Sequence, residues 1–183
     1  MSQEYKGVWT ITEITNCEIN PVSYELLSWG KELSEKLDVE LSTIVLSNQV
    51  KNLERLIHYG ADCVYYVENE KLEHFYPDIY TNIIKNMAEE LKPEIIIASA
   101  TTFGRTLMPM LAAKIGTGLT ADCTDFEIEE KTNSLIQIRP AIGGNVMAKI
   151  KTITRPQMAT VRPKSKKPLP ENESRKGKII KKE

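Results

Sequence analysis

The chain has 183 residues, 41% hydrophobic and 27% charged, with a net charge of −1, which is enough for one domain with its own core and short for two. No apolar run approaches the ~20 residues that a membrane helix needs, and residues 1–6 lack the basic-then-apolar layout of a secretory leader, so a cytoplasmic protein without membrane insertion is expected. Three distant cysteines, Cys17, Cys63 and Cys123, with no CxxC pair, and two scattered histidines argue against a disulfide framework and a metal site.

In chain order, residues 7–12 form a short β-prone run, and Asn20-Pro21 offers a cap with proline at the first helical position. Val22, Leu26, Trp29, Leu33 and Leu37 follow at helical spacing and give one buried face. Residues 39–46 read as a buried strand, and a helix near 49–59 stops at Gly60. The alternation repeats with a strand at 63–67 and a helix at 77–91, which Lys92-Pro93 closes because the residue before proline avoids the helical region. Residues 94–99 are nearly all apolar, as in a parallel strand covered on both faces. A fourth helix, about 103–115, has Thr101 or Thr102 as its cap and Gly116 as its stop.

From Leu119 the character changes. Segments 119–128, 135–139, 146–153 and 157–161 look like strands joined by short turns. The expected fold class is α/β: a doubly wound, mostly parallel sheet in three layers, of the adenine nucleotide alpha hydrolase-like kind, with extra, partly antiparallel C-terminal strands. Residues 1–162 form the domain. Residues 163–183 hold eight Lys or Arg against three Glu, so this end carries +5 and the preceding residues −6. Without interleaved aromatics the basic stretch is no nucleic-acid arm, and its composition predicts a disordered, solvated linker or tail.

No GxxxxGK[ST], GxSxG or HExxH occurs, nor a GxGxxG after the first strand, which argues against an independent enzyme. Asp122 and Asp125 read as solvated strand-end residues, not a catalytic pair. Three segments stand out. Residues 99–105 join a buried strand to a helix N-terminus, where open α/β sheets bind ligands. Residues 116–123 follow, with glycines that end a helix and turn the chain. Residues 139–145 place an arginine before proline and a glycine pair between two strands; a plain β-turn and a loop that contacts another surface both fit, and the arginine is the residue that a turn does not require.

These segments resemble the N-terminal domain of the α subunit of electron transfer flavoproteins. The similarity is carried by Gly104-Arg105 with Leu107 to Ala113, by Gly116-Thr-Gly-Leu-Thr-Ala-Asp-Cys123, by Arg139-Pro-Ala-Ile-Gly-Gly-Asn145, and by Arg155-Pro-Gln-Met-Ala-Thr-Val-Arg-Pro163. The resemblance implies a scaffold and β-subunit-binding domain in a heterodimeric electron carrier between flavin dehydrogenases and an acceptor oxidoreductase. It leaves open whether the carrier splits electron pairs. It implies FAD in the full complex, held mainly by a C-terminal domain, and none in this chain alone. It also places Arg139, Pro140, Ala141, Ile142, Gly143, Gly144 and Asn145 near a β-subunit nucleotide. No catalytic residue, metal or nucleic-acid partner is expected. The competing reading is a stand-alone, universal-stress-like nucleotide-binding module, which shares the sheet architecture.

Overall fold

The structure is a computed structural model that describes residues 4–141 and 146–182. Five units of the chain begin the fold: β1 (Val8–Ile11), α1 (Val22–Leu37), β4 (Leu41–Ser47), α2 (Glu54–His58) and β5 (Cys63–Glu68). Between β1 and α1 lies a tiny hairpin, β2 (Ile14–Thr15) with β3 (Glu18–Ile19). Then come α3 (Pro77–Leu91), β6 (Ile95–Ser99), α4 (Thr102–Ile115) and β7 (Leu119–Cys123). Strands β8 (Asp125–Glu129), β9 (Ser134–Pro140), β10 (Met147–Lys151), β11 (Gln157–Val161) and β12 (Lys178–Lys182) complete the described chain.

Seven strands form one sheet in the order β12-β5-β4-β1-β6-β11-β7, and its pairings are parallel. Both faces are covered, as the apolar run of β6 requires: Ile95 and Ile97 pack with Leu27, Leu33 and Val45, whereas Ile96 and Ala98 pack with Ile84, Leu107 and Leu111. The chain runs outward from β1 through β4 to β5 and returns on the other side of β1 at β6. That reversal puts a topological switch point between the carboxyl ends of β1 and β6. The antiparallel strands expected near the C-terminus form a separate sheet, β10-β9-β8, while β7 and β11 extend the parallel one.

Three details differ from the sequence reading. The single strand expected at 119–128 is broken at Thr124 into β7, where Asp122 takes a left-handed φ of 62° at the register shift against β11, and β8, which pairs with β9 in the other sheet. The second helix starts five residues later than its apolar pattern suggested, behind Asn52 at φ 57°. The third difference lies in the basic stretch after Pro163, read from composition as solvated. Here it runs across α1 and α2 and ends as edge strand β12 on β5. Its anchors come from the body: Lys166 lies 4.1 Å from the Trp29 ring centroid and pairs with Glu32, Glu171 accepts two bonds from Arg55 at 2.9 and 3.1 Å, and Arg175 donates to the His58 carbonyl at 2.8 Å. Composition registered the tail's polarity; it did not register the aromatic and charged partners waiting on another part of the chain.

Candidate functional site

The carboxyl ends of the parallel strands, where this architecture binds ligands, are built from residues of several loops. At the switch point the chain supplies its own carboxylate. Glu13 follows β1, is buried, and accepts a 2.6 Å bond from Thr101 Oγ1, while its backbone N–H donates to Ser23 Oγ at 2.9 Å. Burial pushes the Glu13 carboxyl above its ordinary value, with the Thr101 bond working in the opposite direction. Thr101 also accepts from the Gly104 N–H at 3.2 Å and so caps α4. The residue range 99–105 is therefore brought to the expected place, with its helix-capping amide already used.

Gly104 has a steric role. A Cβ there would lie 1.9 Å from the Ser99 carbonyl oxygen, so only glycine lets the first turn of α4 sit this closely over the end of β6. Next to it three of the four segments that carry the family resemblance meet at one carboxylate, on which the charge of Arg139 from the remaining segment also acts. Asp122 accepts from Arg162 Nε at 3.2 Å and Nη2 at 2.7 Å, and Arg105 Nη2 lies 3.7 Å away. Arg162 holds the Asp122 carboxyl below the usual carboxylate range, and the charges of Arg105 and Arg139 act in the same direction against the cost of partial burial. Thr160 Oγ1 accepts from the Asp122 N–H at 2.9 Å, and the Arg162 N–H donates to the Cys123 carbonyl at 2.8 Å. Burial pushes the Cys123 thiol up to about 12, so it stays protonated and unreactive. Asp125 stands apart, accepting from the Phe126 backbone N–H at 2.8 Å, so the two aspartates share no partner that would make them an acid–base pair.

Arg139 and Pro140 end β9, opposite Ala148 and Met147 of β10, and the Ala141 N–H donates to the Val146 carbonyl at 2.8 Å. Ile142, Gly143, Gly144 and Asn145, the rest of the expected site, lie outside the described residues. Arg139 is half-buried at the margin of the arginine cluster. Before, on and after β10, large apolar side chains face solvent: Val146 is 62% exposed, Met147 49%, Ile150 36% and Ile153 87%. Arg155, in the fourth resembling segment, has a structural task at the other end of the sheet. It pairs with Glu94, which also accepts from Gln157 Nε2 at 3.0 Å, and Gln157 Oε1 in turn accepts from the Leu135 N–H at 2.9 Å.

One feature was signalled in the sequence only by the 99–105 turn, through Phe103. A cavity of about 320 Å³ lies at the carboxyl ends of β1 and β4, between the β2–β3 hairpin, the loop before α3 and the first turn of α4. Phe75, Tyr80 and Phe103 line it, with Thr12, Ser47 and Asn48 across from them. These residues come from separate loops with no shared motif, so the chain offered no other local signal. Among the described residues, no group of His, Cys, Asp and Glu could hold a metal ion, and no helix is long and apolar enough to cross a membrane.

A three-layer, doubly wound sheet with a short antiparallel sheet beside an arginine-rich carboxyl edge defines a doubly wound α/β domain, an architecture shared by many functions. Comparison with known proteins narrows this. The electron transfer flavoprotein domain family matches residues 8–183. The chain is 45% identical over 173 residues to the electron transfer flavoprotein subunit alpha of Clostridium acetobutylicum, covering 93% of this chain and 52% of that protein. It is also 45% identical over 161 residues to Protein FixB of Clostridium saccharobutylicum, covering 87% and 48%. A third relative, the lactate dehydrogenase (NAD(+),ferredoxin) subunit LctC of Acetobacterium woodii, is 40% identical over 160 residues, covering 86% and 38%. The chain belongs to the electron transfer flavoprotein domain family, and its relatives include α subunits, as the four segments indicated. It spans about half the length of the curated relatives it matches.

Proposed function

We propose that this chain is the scaffold half of an electron transfer flavoprotein α subunit and that it docks on a β subunit through the β9–β10 hairpin. The observation that carries this reading is the number of exposed large apolar residues along and flanking β10, Val146, Met147, Ile150 and Ile153, with half-buried Arg139 on the paired strand β9. Folding does not require exposed apolar residues on and around an edge strand, and such residues near an arginine are what association surfaces use. In this reading Arg139, Pro140 and Ala141 approach a nucleotide or flavin of the partner, where a fixed cation favours the anionic reduced state. Electron transfer between flavin dehydrogenases and an acceptor oxidoreductase is then a property of the whole complex.

The chain's own carboxyl edge does not suit FAD. Glu13 fills the switch point, and the 320 Å³ cavity lies at the lower end of the range for drug-sized ligands and has no Lys or Arg in its lining. FAD in this reading is held by parts of the complex outside the described residues, and the protein's contribution is position and electrostatics.

The test is association of the purified chain with a β subunit of the same family, followed by light scattering during gel filtration. The parent chain should co-elute as a 1:1 complex, and the double variant Met147→Asp, Ile153→Asp should remain monomeric with an unchanged melting temperature. Equal association by both would remove the hairpin from the interface.

A further inference from the structure

The cavity at the carboxyl ends of β1 and β4 is a built space, not a surface dimple. Its aromatic wall is fixed: the Phe75 and Phe103 rings lie 4.5 Å apart at 48°, and Tyr80 stands edge-on to Phe75 at 5.0 Å. The Tyr80 hydroxyl is held 3.3 Å from the carbonyls of both Leu46 and Leu72, which leaves that ring no freedom to swing out. Phe75 and Phe103 are only half-buried, so apolar ring surface remains uncovered within a concave site.

The opposite rim is polar and neutral. Asn16 and Asn48 line it, and neither side-chain amide makes a hydrogen bond among the described residues. Each amide offers donors and an acceptor side by side, the arrangement that pairs in two places with the edge of a nucleobase. Stacking on aromatic side chains supplies the complementary attraction, because every base has a π-face. The volume admits one small ring system and its sugar, not a dinucleotide.

Charge sets the remaining limit. Glu73 lines the mouth, and no Lys or Arg lines the cavity. A phosphate would meet the Glu73 carboxylate, with His74 the basic side chain in the lining and no Lys or Arg, in contrast to the glycine-rich or lysine-bearing cradles that hold phosphates. A larger cleft of about 730 Å³ opens at the amino end of the sheet, lined by Lys6, Lys92 and the Arg155–Glu94 pair, but Tyr5 alone among its lining is aromatic, so it offers no stacking wall.

We infer that the cavity binds a small planar nitrogen heterocycle of the nucleobase or unphosphorylated nucleoside class, stacked on Phe75 and Phe103 and read at its edge by Asn16 and Asn48. The site is separate from the β9–β10 hairpin, so it stands or falls independently of docking to a partner.

The experiment is a titration of the isotopically labelled 183-residue chain with adenosine, followed through its amide resonances. Saturable shifts centred on Asn48 and Phe103 are expected, with a dissociation constant of about 1 mM or tighter. Phe103→Ala should weaken binding about tenfold, the scale of one lost stacking contact, and Asn48→Ala, on the rim and outside the core, about threefold. AMP should bind more weakly than adenosine. Absence of saturation at about 10 mM adenosine would overturn the inference. So would tighter binding of AMP, equal binding of phenol, or unchanged affinity in both variants.

Discussion

Strands β6 and β10 are each five residues long, and they are used in opposite ways. Every residue of β6 is buried, whereas four of the five in β10 are exposed, including Met147 and Ile150. The first lies between β1 and β11 with helices over both faces, and its side chains are determined by packing. The second is the outer strand of a three-stranded sheet, where packing makes few demands and an apolar residue signals contact with something else. The same distinction separates the glycine of α4 from the arginine of β9, although both lie in segments that carry the family resemblance.

The largest expected effect falls where the packing is tightest. Gly104→Ala would put a methyl group 1.9 Å from the Ser99 carbonyl, which belongs to the backbone and cannot rotate aside. A loss of about 3 kcal/mol is expected from urea unfolding, at the upper end of the usual cost of overpacking. A change smaller than about 0.5 kcal/mol would mean that α4 can lift from β6, and the contrast between the two sheets would weaken.

At the boundary between the regions, Asp122→Asn tests the arginine cluster. The folded carboxyl lies below its ordinary value of 3.8, first because Arg162 donates to it, so the stability it contributes is present at neutral pH and is lost as pH falls through that range. The pair is partly open to solvent, so the variant should lower the melting temperature by only about 2 °C at pH 7. The difference should vanish toward pH 3. A gap that persists in acid would assign the effect to the left-handed backbone at Asp122 and not to its charge.

The smallest effect belongs to the hairpin. Arg139→Ala should change stability by no more than about 0.5 kcal/mol, since the side chain lies at the margin of the cluster. In a rebuilt heterodimer the same change should lower the reduction potential of the partner's flavin. A large loss of melting temperature together with an unchanged potential would make Arg139 a structural residue.

How much of this was legible depends on whether the signal was local. Helix α3 was read to the residue, because Pro77 opens it and Lys92, in a left-handed conformation before Pro93, closes it. Thr101 and Gly116 likewise marked α4. The β2–β3 hairpin was missed because its turn uses Asn16 at φ 52° and Cys17 at φ 61° in place of the glycine that usually signals such a turn. Arg105, Asp122, Arg139 and Arg162 were each noticed within separate segments, but their meeting is tertiary and no spacing announces it. Apart from Phe103, the cavity was invisible for the same reason, being assembled from several loops that have no common pattern.

The placement of β12 has a consequence for how the protein is made. Its partner strand β5 ends at Glu68, yet Lys178 and its neighbours emerge only after a further hundred or so residues have been synthesised. At roughly 5–20 residues per second, a ribosome leaves that flank of β5 without its final neighbour for about 10 seconds. During this interval the backbone groups along β5 are open to pairing with another nascent chain. Strand β12, translated long after β5, thus completes that border of the sheet and ends the period in which it is exposed.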